Sequence, residues 1–225
     1  LGTMPTIYNY PYYPEHIKAI GGFEVDNKYV ENKLMVPEAV PEKYAKIAAM
    51  IQKRYNLHVV KLTKKMVFDE GYGQKIFDLV NATYSHLYGY SQLTQKQINQ
   101  YIKMYLGMLD LEFVTLIEDW TGDERKLVGA GISMPSLSIA LQKCHRGRML
   151  PFGWWHLLRA IKFHKTKIVD LLLVGILPEY RAKGANALLF ADLIPIYQKY
   201  GIEWGETQVE METNTAVQGQ WGPLS

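Results

Sequence analysis

Asp170-Leu-Leu-Leu-Val-Gly-Ile-Leu-Pro178-Glu-Tyr-Arg181-Ala-Lys-Gly184-Ala-Asn186-Ala-Leu-Leu189 is the stretch whose reading decides the fold. Leu171 to Leu177 form a near-continuous apolar run, as expected of a strand covered on both faces. Beyond Pro178 and Gly184, apolar residues recur at Leu188, Leu189, Phe190, Leu193, Ile194 and Tyr197, which is helical spacing. A strand feeding a helix through such a turn aims free backbone N–H groups and the positive end of the helix dipole at one spot, suited to a phosphate or pyrophosphate. Gly184 allows close backbone approach, and Arg181 and Lys183 add positive charge. The turn holds neither GxGxxG nor GxxxxGK[ST], so it is neither of the two commonest phosphate loops. The plain alternative is a surface loop of an α/β protein with two solvated cations.

Working outward, residues 1–21 are rich in tyrosine and proline, with a short helix over Glu15–Ile20. Phe23–Val36 alternates loosely enough for one or two strands, and Pro37 and Pro41 bracket a linker. Tyr44, Ile47, Ala48, Ile51 and Tyr55 mark an amphipathic helix starting at Pro41. Leu57–Leu62 reads as a strand and Lys75–Tyr88 as a helix. Thr94 with Gln97 forms a capping box for a further helix. Phe113–Ile117 and Leu127–Met134 form a hairpin around Thr121-Gly122-Asp123-Glu124. An insertion, 135–165, precedes the strand at 168–177. After the 186–199 helix come a strand over Ile202–Thr207 and a helix starting near Asn214.

The 170–189 stretch resembles the acetyl-CoA loop of the GNAT (GCN5-related) N-acetyltransferase superfamily, strand-V-x-P-x-x-(Q/R)-x-x-G-x-(G/A)-helix. Pro178, Arg181 and Gly184 fall on pattern positions, and Asn186 departs from the usual Gly or Ala. The element order from Leu57 onward is also that of GNAT chains. The resemblance implies an α/β (α+β) fold, a GNAT-like mixed, mostly antiparallel central sheet flanked by helices, here with its C-terminal strands missing. It implies acetyl-CoA, or another acyl-CoA, as co-substrate. Its contacts would come from Val174, Ile176, Leu177, Arg181, Ala182, Lys183, Gly184, Ala185, Asn186 and Ala187.

GNAT chains also carry N-x-x-A-x-x-x-Y after the fifth strand, the tyrosine protonating the departing thiolate. Here Asn214 is followed at those spacings by Val217 and Trp221. An indole donates a hydrogen bond but transfers no proton at usable pH. Asn214 is therefore either a cofactor contact or only a helix N-cap. Tyr8-Asn9-Tyr10 through Ile17 and Gly22-Phe23-Glu24 resemble the end of a GNAT domain. Residues 1–36 are accordingly expected to be the tail of a preceding GNAT-like domain of the same polypeptide. Residues 37–225 would be a second, C-terminally incomplete one, the whole being a piece of a longer protein.

The implied activity is direct transfer of an acetyl group to a small-molecule or peptide amine. The alternative is a catalytically inactive GNAT-shaped CoA-binding or interaction module. An amine at neutral pH is mostly protonated, so the site needs a base or a water relay. Asp170, opening an otherwise apolar strand, is the candidate; a buried setting would raise its pKa as a base requires. Its other reading is a solubilising residue at an exposed strand end. Glu206, Glu210 and Glu212 are rivals, and a backbone N–H near Val174–Ile176 would serve as oxyanion donor. In the insertion, Leu137, Ala140, Leu141 and Cys144 share one helical face, and Trp154, Leu157, Leu158 and Ile161 another, around a basic tip at 145–153. They form either an apolar acceptor pocket with Trp155 or ordinary core.

Composition closes off other classes. A net charge of +3 without a dense basic run argues against nucleic acid. The longest apolar stretch is far short of the ~20 residues that span a bilayer, so no membrane partner is expected. Cys144, the only cysteine, allows no internal disulfide, and a cytoplasmic setting is expected. His156 and His164 lack ligand-spaced partners, so no metal is expected.

Overall fold

The computed structural model describes residues 6, 8–107, 109–144 and 147–214. In chain order its elements are helix α1 (Tyr12–Ile20), strands β1 (Tyr29–Val30) and β2 (Lys33–Met35), helix α2 (Glu42–Tyr55) and strand β3 (Leu57–Lys61). Helices α3 (Lys64–Phe68), α4 (Tyr72–Tyr84) and α5 (Gln95–Tyr101) follow, then a π-turn over Ile102–Leu106 and a 3₁₀ turn over Leu111–Phe113. Next come strands β4 (Val114–Asp119) and β5 (Lys126–Pro135), and helices α6 (Ser138–Gln142) and α7 (Gly153–Ile161). Strand β6 (Ile168–Ile176), helices α8 (Pro178–Arg181) and α9 (Asn186–Lys199), and strands β7 (Trp204–Thr207) and β8 (Glu210–Met211) complete the order.

Six strands form one sheet in the order β2-β7-β6-β5-β4-β3, and β1 pairs with β8. The sheet is mostly antiparallel: β2 with β7, β3 with β4, and β4 with β5 all run in opposite directions. β5 and β6 do the same, through Leu177 N–H to Val128 O and Ser136 N–H to Ile168 O, both 2.9 Å. β7 runs parallel to β6, because its first residue, Trp204, donates to Lys167 O (3.3 Å) immediately before β6 begins. The mixed, mostly antiparallel sheet flanked by helices is the architecture expected from the sequence.

The chain divides into two units, one of residues 36–134 and 171–203, the other of the described residues in 1–35, 135–170 and 204–214. In the first unit β4 is buried along Val114–Glu118, so both its faces are covered. Leu116 packs with Val67, Ile76 and Leu79 of α3 and α4, while Ile117 packs with Ala48, Ile51, Leu188 and Leu189 of α2 and α9. Tyr44, Ala48 and Ile51 line the inner face of α2, which ends on Asn56 in the left-handed conformation (φ 51°). Leu188 and Leu189 of α9 are 1% and 2% exposed, each burial stabilising by roughly 1.5–3 kcal/mol. The Thr94–Gln97 capping box forms as read.

Three local readings are corrected in this unit. Pro41 stands before the helix rather than at its first position. α4 spans Tyr72–Tyr84 rather than Lys75–Tyr88, starting after Gly71 in the left-handed conformation. α3 has no signature in the sequence, because five residues carry too little periodicity; the Thr63 hydroxyl caps it by accepting from Met66 N–H (3.2 Å).

In the second unit β2 supplies the strand beside β7. Leu34, opposite Gly205, is buried, and Asn32 and Thr207 exchange two bonds of 2.9 and 3.0 Å. Tyr29, in β1, is half exposed. Leu137, Ala140 and Cys144 are buried as read, but α7 buries Gly153 and Ala160 and turns Trp154, Trp155 and Ile161 outward. A Cβ on Gly153 would stand 2.1 Å from Arg148 O and 3.2 Å from Cys144 Sγ. The smallest residue thus makes the closest approach, and the large apolar side chains leave that face.

Candidate functional site

The turn after β6 is tightly wound. Pro178 opens the one-turn helix α8, its fixed φ suiting the first helical position. The N–H groups of Tyr180 and Arg181 both return to Leu177 O, and those of Ala182, Lys183, Gly184 and Ala185 to carbonyls between Pro178 and Arg181. Ala187 and Leu188 donate to Gly184 O and Ala185 O. The sequence reading expected several free donors here; instead most are spent inside the turn, and the Asn186 N–H alone among residues 180–188 is absent from these bonds. Gly184 holds φ +84°, and a Cβ there would touch Ile51 and Ile47 of α2 at 3.4–3.5 Å. Its conformation, more than its size, calls for glycine. Ala185 and Ala187 are buried and act as packing residues.

Both cations of the turn have neighbours in it. Arg181 Nη2 donates to Ile176 O (3.2 Å). Lys183 Nζ lies over the rings of Tyr180 (4.4 Å) and Tyr55 (5.0 Å). The Tyr180 hydroxyl donates to Asp119 (2.7 Å); burial, then this bond, pushes the phenol up to about 12. Burial would raise the Asp119 carboxyl, but hydrogen bonds from Thr121 and Tyr180 and the Lys183 charge outweigh it and hold its pKa below the usual range.

Parallel strands advance in step, and β7, beginning against Lys167, is only four residues long. Val174 and Ile176, two residues apart, aim their carbonyls and N–H groups at one edge of the strand. The Val174 carbonyl accepts from the Tyr84 hydroxyl (3.1 Å) and the Ile176 carbonyl from Arg181. Side chains reach both carbonyls of this edge. Correspondingly, Leu171–Val174 are only half-buried, so the apolar run is covered at its ends but not along its middle. Tyr84 lies 90 residues before Val174 and carried no signal in the sequence.

Asp170 lies in the second unit and is 1% exposed, which overturns the strand-end alternative. Neither of its carboxylate oxygens has a hydrogen-bond partner among the described residues. Burial raises its pKa to about 6, with the nearby Ser136 hydroxyl pulling the other way and Glu206 adding to the rise. The Ser136 hydroxyl itself is turned toward Ser138 (3.3 Å). Such a group is protonated or charged within the range of working pH, as a base requires.

Of the rival acids, Glu206 accepts from the Trp204 indole (3.2 Å), Glu210 accepts from Asn32 Nδ2 (3.3 Å), and Glu212 is exposed. Asn214 closes the described segment with its N–H on Met211 O (2.9 Å). Val217, Trp221 and the helix read near them lie outside the described residues. Among the described residues, no group of three or more His, Cys, Asp or Glu is arranged to hold a metal ion, and no helix is long and apolar enough to cross a membrane.

No protein-family model and no curated protein matches the chain. Its structure is similar to a GCN5-related N-acetyltransferase from Sphaerobacter thermophilus, with a TM-score of 0.53 and 10% identity over 92% of this chain and 51% of that one. It is also similar to the GCN5-related glucosamine N-acetyltransferase region of a fungal multi-domain GH3 beta-N-acetylglucosaminidase. There the TM-score is 0.51 and the identity 11%, over 92% of this chain and 21% of that one. The chain thus spans about half the length of the first and about a fifth of the second. At such identities the likeness is one of fold: the chain has the fold of GNAT N-acetyltransferases.

Proposed function

We propose that this chain is an acyl-CoA-dependent N-acyltransferase domain that moves an acetyl group directly from acetyl-CoA to an amine. The observation that carries the reading is the end of β6 at Val174–Ile176, whose carbonyls accept from side chains and which runs straight into the Arg181–Gly184 turn. An extended amide-bearing arm of a thioester cofactor suits that edge, because extended backbone presents N–H and C=O groups at the spacing such an arm can meet. The half-buried Leu171–Val174 side chains suit its apolar portions. The pyrophosphate then falls to the 177–187 turn, with Arg181 and Lys183 swinging from their present partners onto it and the Asn186 N–H available.

In the reaction the amine nitrogen attacks the thioester carbonyl, the C–N bond forms and the C–S bond breaks. Asp170, ionised above pH 6, takes the ammonium proton directly or through water. A Val174 or Ile176 N–H stabilises the oxyanion. The CoA thiolate takes its proton from water. The acceptor is a small-molecule or peptide amine. The proposal extends to a preceding GNAT-like domain of the same polypeptide ending in residues 1–36, whose Lys33–Met35 segment this sheet takes up beside β7, and to a cytoplasmic setting.

One rival is an inactive GNAT-shaped CoA-binding or interaction module, and the spent donors of the turn favour its interaction form. Calorimetry with acetyl-CoA and a thiol-release assay over a panel of amines separate the two. Lys183→Glu is expected to weaken acetyl-CoA binding at least tenfold, about 1.4 kcal/mol; unchanged affinity sinks the loop assignment. Tight binding with no thiol release on any amine favours the module.

A further inference from the structure

The whole-chain charge of +3 conceals a strong asymmetry. Pro135–Val169 holds seven Lys and Arg and three His with no Asp or Glu, while the rest of the chain has 18 Lys and Arg against 22 Asp and Glu. In the second unit part of this charge converges. A recess of about 220 Å³ is lined by Lys143 at the end of α6, His156 and Arg159 on α7, Lys165 and Lys167 before β6, and Ser136 after β5. No carboxylate of the described residues lines it. Beside it, Glu206 accepts from the indole of the lining Trp204, and Asp170 feels the Ser136 hydroxyl. Lys143, Arg159 and Lys165 have no ion-pair partner among the described residues.

Like charges gathered around one recess repel, and the repulsion is relieved when an anion enters. The hydrophobic insertion reading does not explain them, because packing α6 on α7 requires small and apolar residues and no cluster of cations. Room equivalent to roughly seven waters takes a group, not a polymer. Arg159 offers a planar fork for two oxygens of one anion, the lysines point charges, and His156 a further donor. We infer that this recess is a binding site for a small molecule bearing a phosphate or carboxylate group. The site stands apart from the acyl-transfer reading, and its test needs no CoA.

The chain is titrated with inorganic phosphate and, separately, with succinate, following the imidazole signals of His156 by NMR and the heat by calorimetry. Saturable binding of at least one probe, with His156 shifting, is expected. Lys143→Gln with Arg159→Gln, both exposed, should weaken it at least tenfold. Lys53→Gln with Lys96→Gln, which removes the same charge elsewhere, should leave it unchanged. Preference for phosphate or for succinate identifies which oxyanion the site takes. Absence of saturation by either probe, an unchanged pocket variant, or equal weakening in the control pair overturns the proposal.

Discussion

Replacing Asp170 by asparagine tests the most unusual group in the molecule. The carboxyl is buried, neither oxygen has a hydrogen-bond partner among the described residues, and its pKa rises from 3.8 to about 6. Because the folded pKa lies above the unfolded one, the folded chain keeps a proton that the unfolded chain has already shed between about pH 4 and 6. Stability contributed by this group is therefore highest below pH 4, falls as pH rises through that window, and stays lost above it. A displacement of that size corresponds to about 3 kcal/mol, and at 1% exposure solvent does little to screen it. Asparagine keeps the shape without the charge, and its own burial cost does not vary with pH. The stability of Asp170→Asn minus that of the wild type should accordingly rise by roughly 2–2.5 kcal/mol between pH 4 and 7. For a chain of this size that is roughly 4–10 °C in Tm. Thermal unfolding of both proteins at half-unit steps from pH 4 to 7.5 reads the difference, in which all other titrating groups cancel. A difference flat across the window would refute the assignment of a buried, unpartnered carboxylate. If Asp170 is also the base, the same variant binds acetyl-CoA normally yet transfers roughly 10²–10⁴-fold more slowly.

Gly184→Val forces a β-branched residue to φ +84° and should cost about 1–2 kcal/mol of stability, with a fall in Tm; Gly184→Asn, which tolerates that conformation, should cost less. If Asn and Val lower Tm equally, the left-handed backbone is not what glycine supplies. Deleting residues 1–36 strips Leu34 and its neighbours from β7 and bares a strand edge. Aggregation or a clearly lower Tm is expected, and a monomeric 37–225 chain with an undiminished Tm would contradict the pairing.

What could be read from the sequence alone was local. The Thr94–Gln97 box, the hairpin around residues 119–126 and the Leu171–Leu189 strand-turn-helix each depend on residues a few positions apart, where spacing and cap chemistry act directly. That order was enough to anticipate the sheet and the helices that flank it. Tertiary structure decided everything that depends on which distant groups meet. The Tyr84 hydroxyl on the Val174 carbonyl, the burial of Asp170 without a partner, and the turning outward of Trp154 and Trp155 had no local signature. Nor did the recess that gathers Lys143, Arg159 and Lys165, since a net charge sums over the chain whereas electrostatics acts over ångströms. Periodicity tells which face of a helix is apolar; only packing tells whether that face is covered, because coverage belongs to the neighbour as much as to the helix.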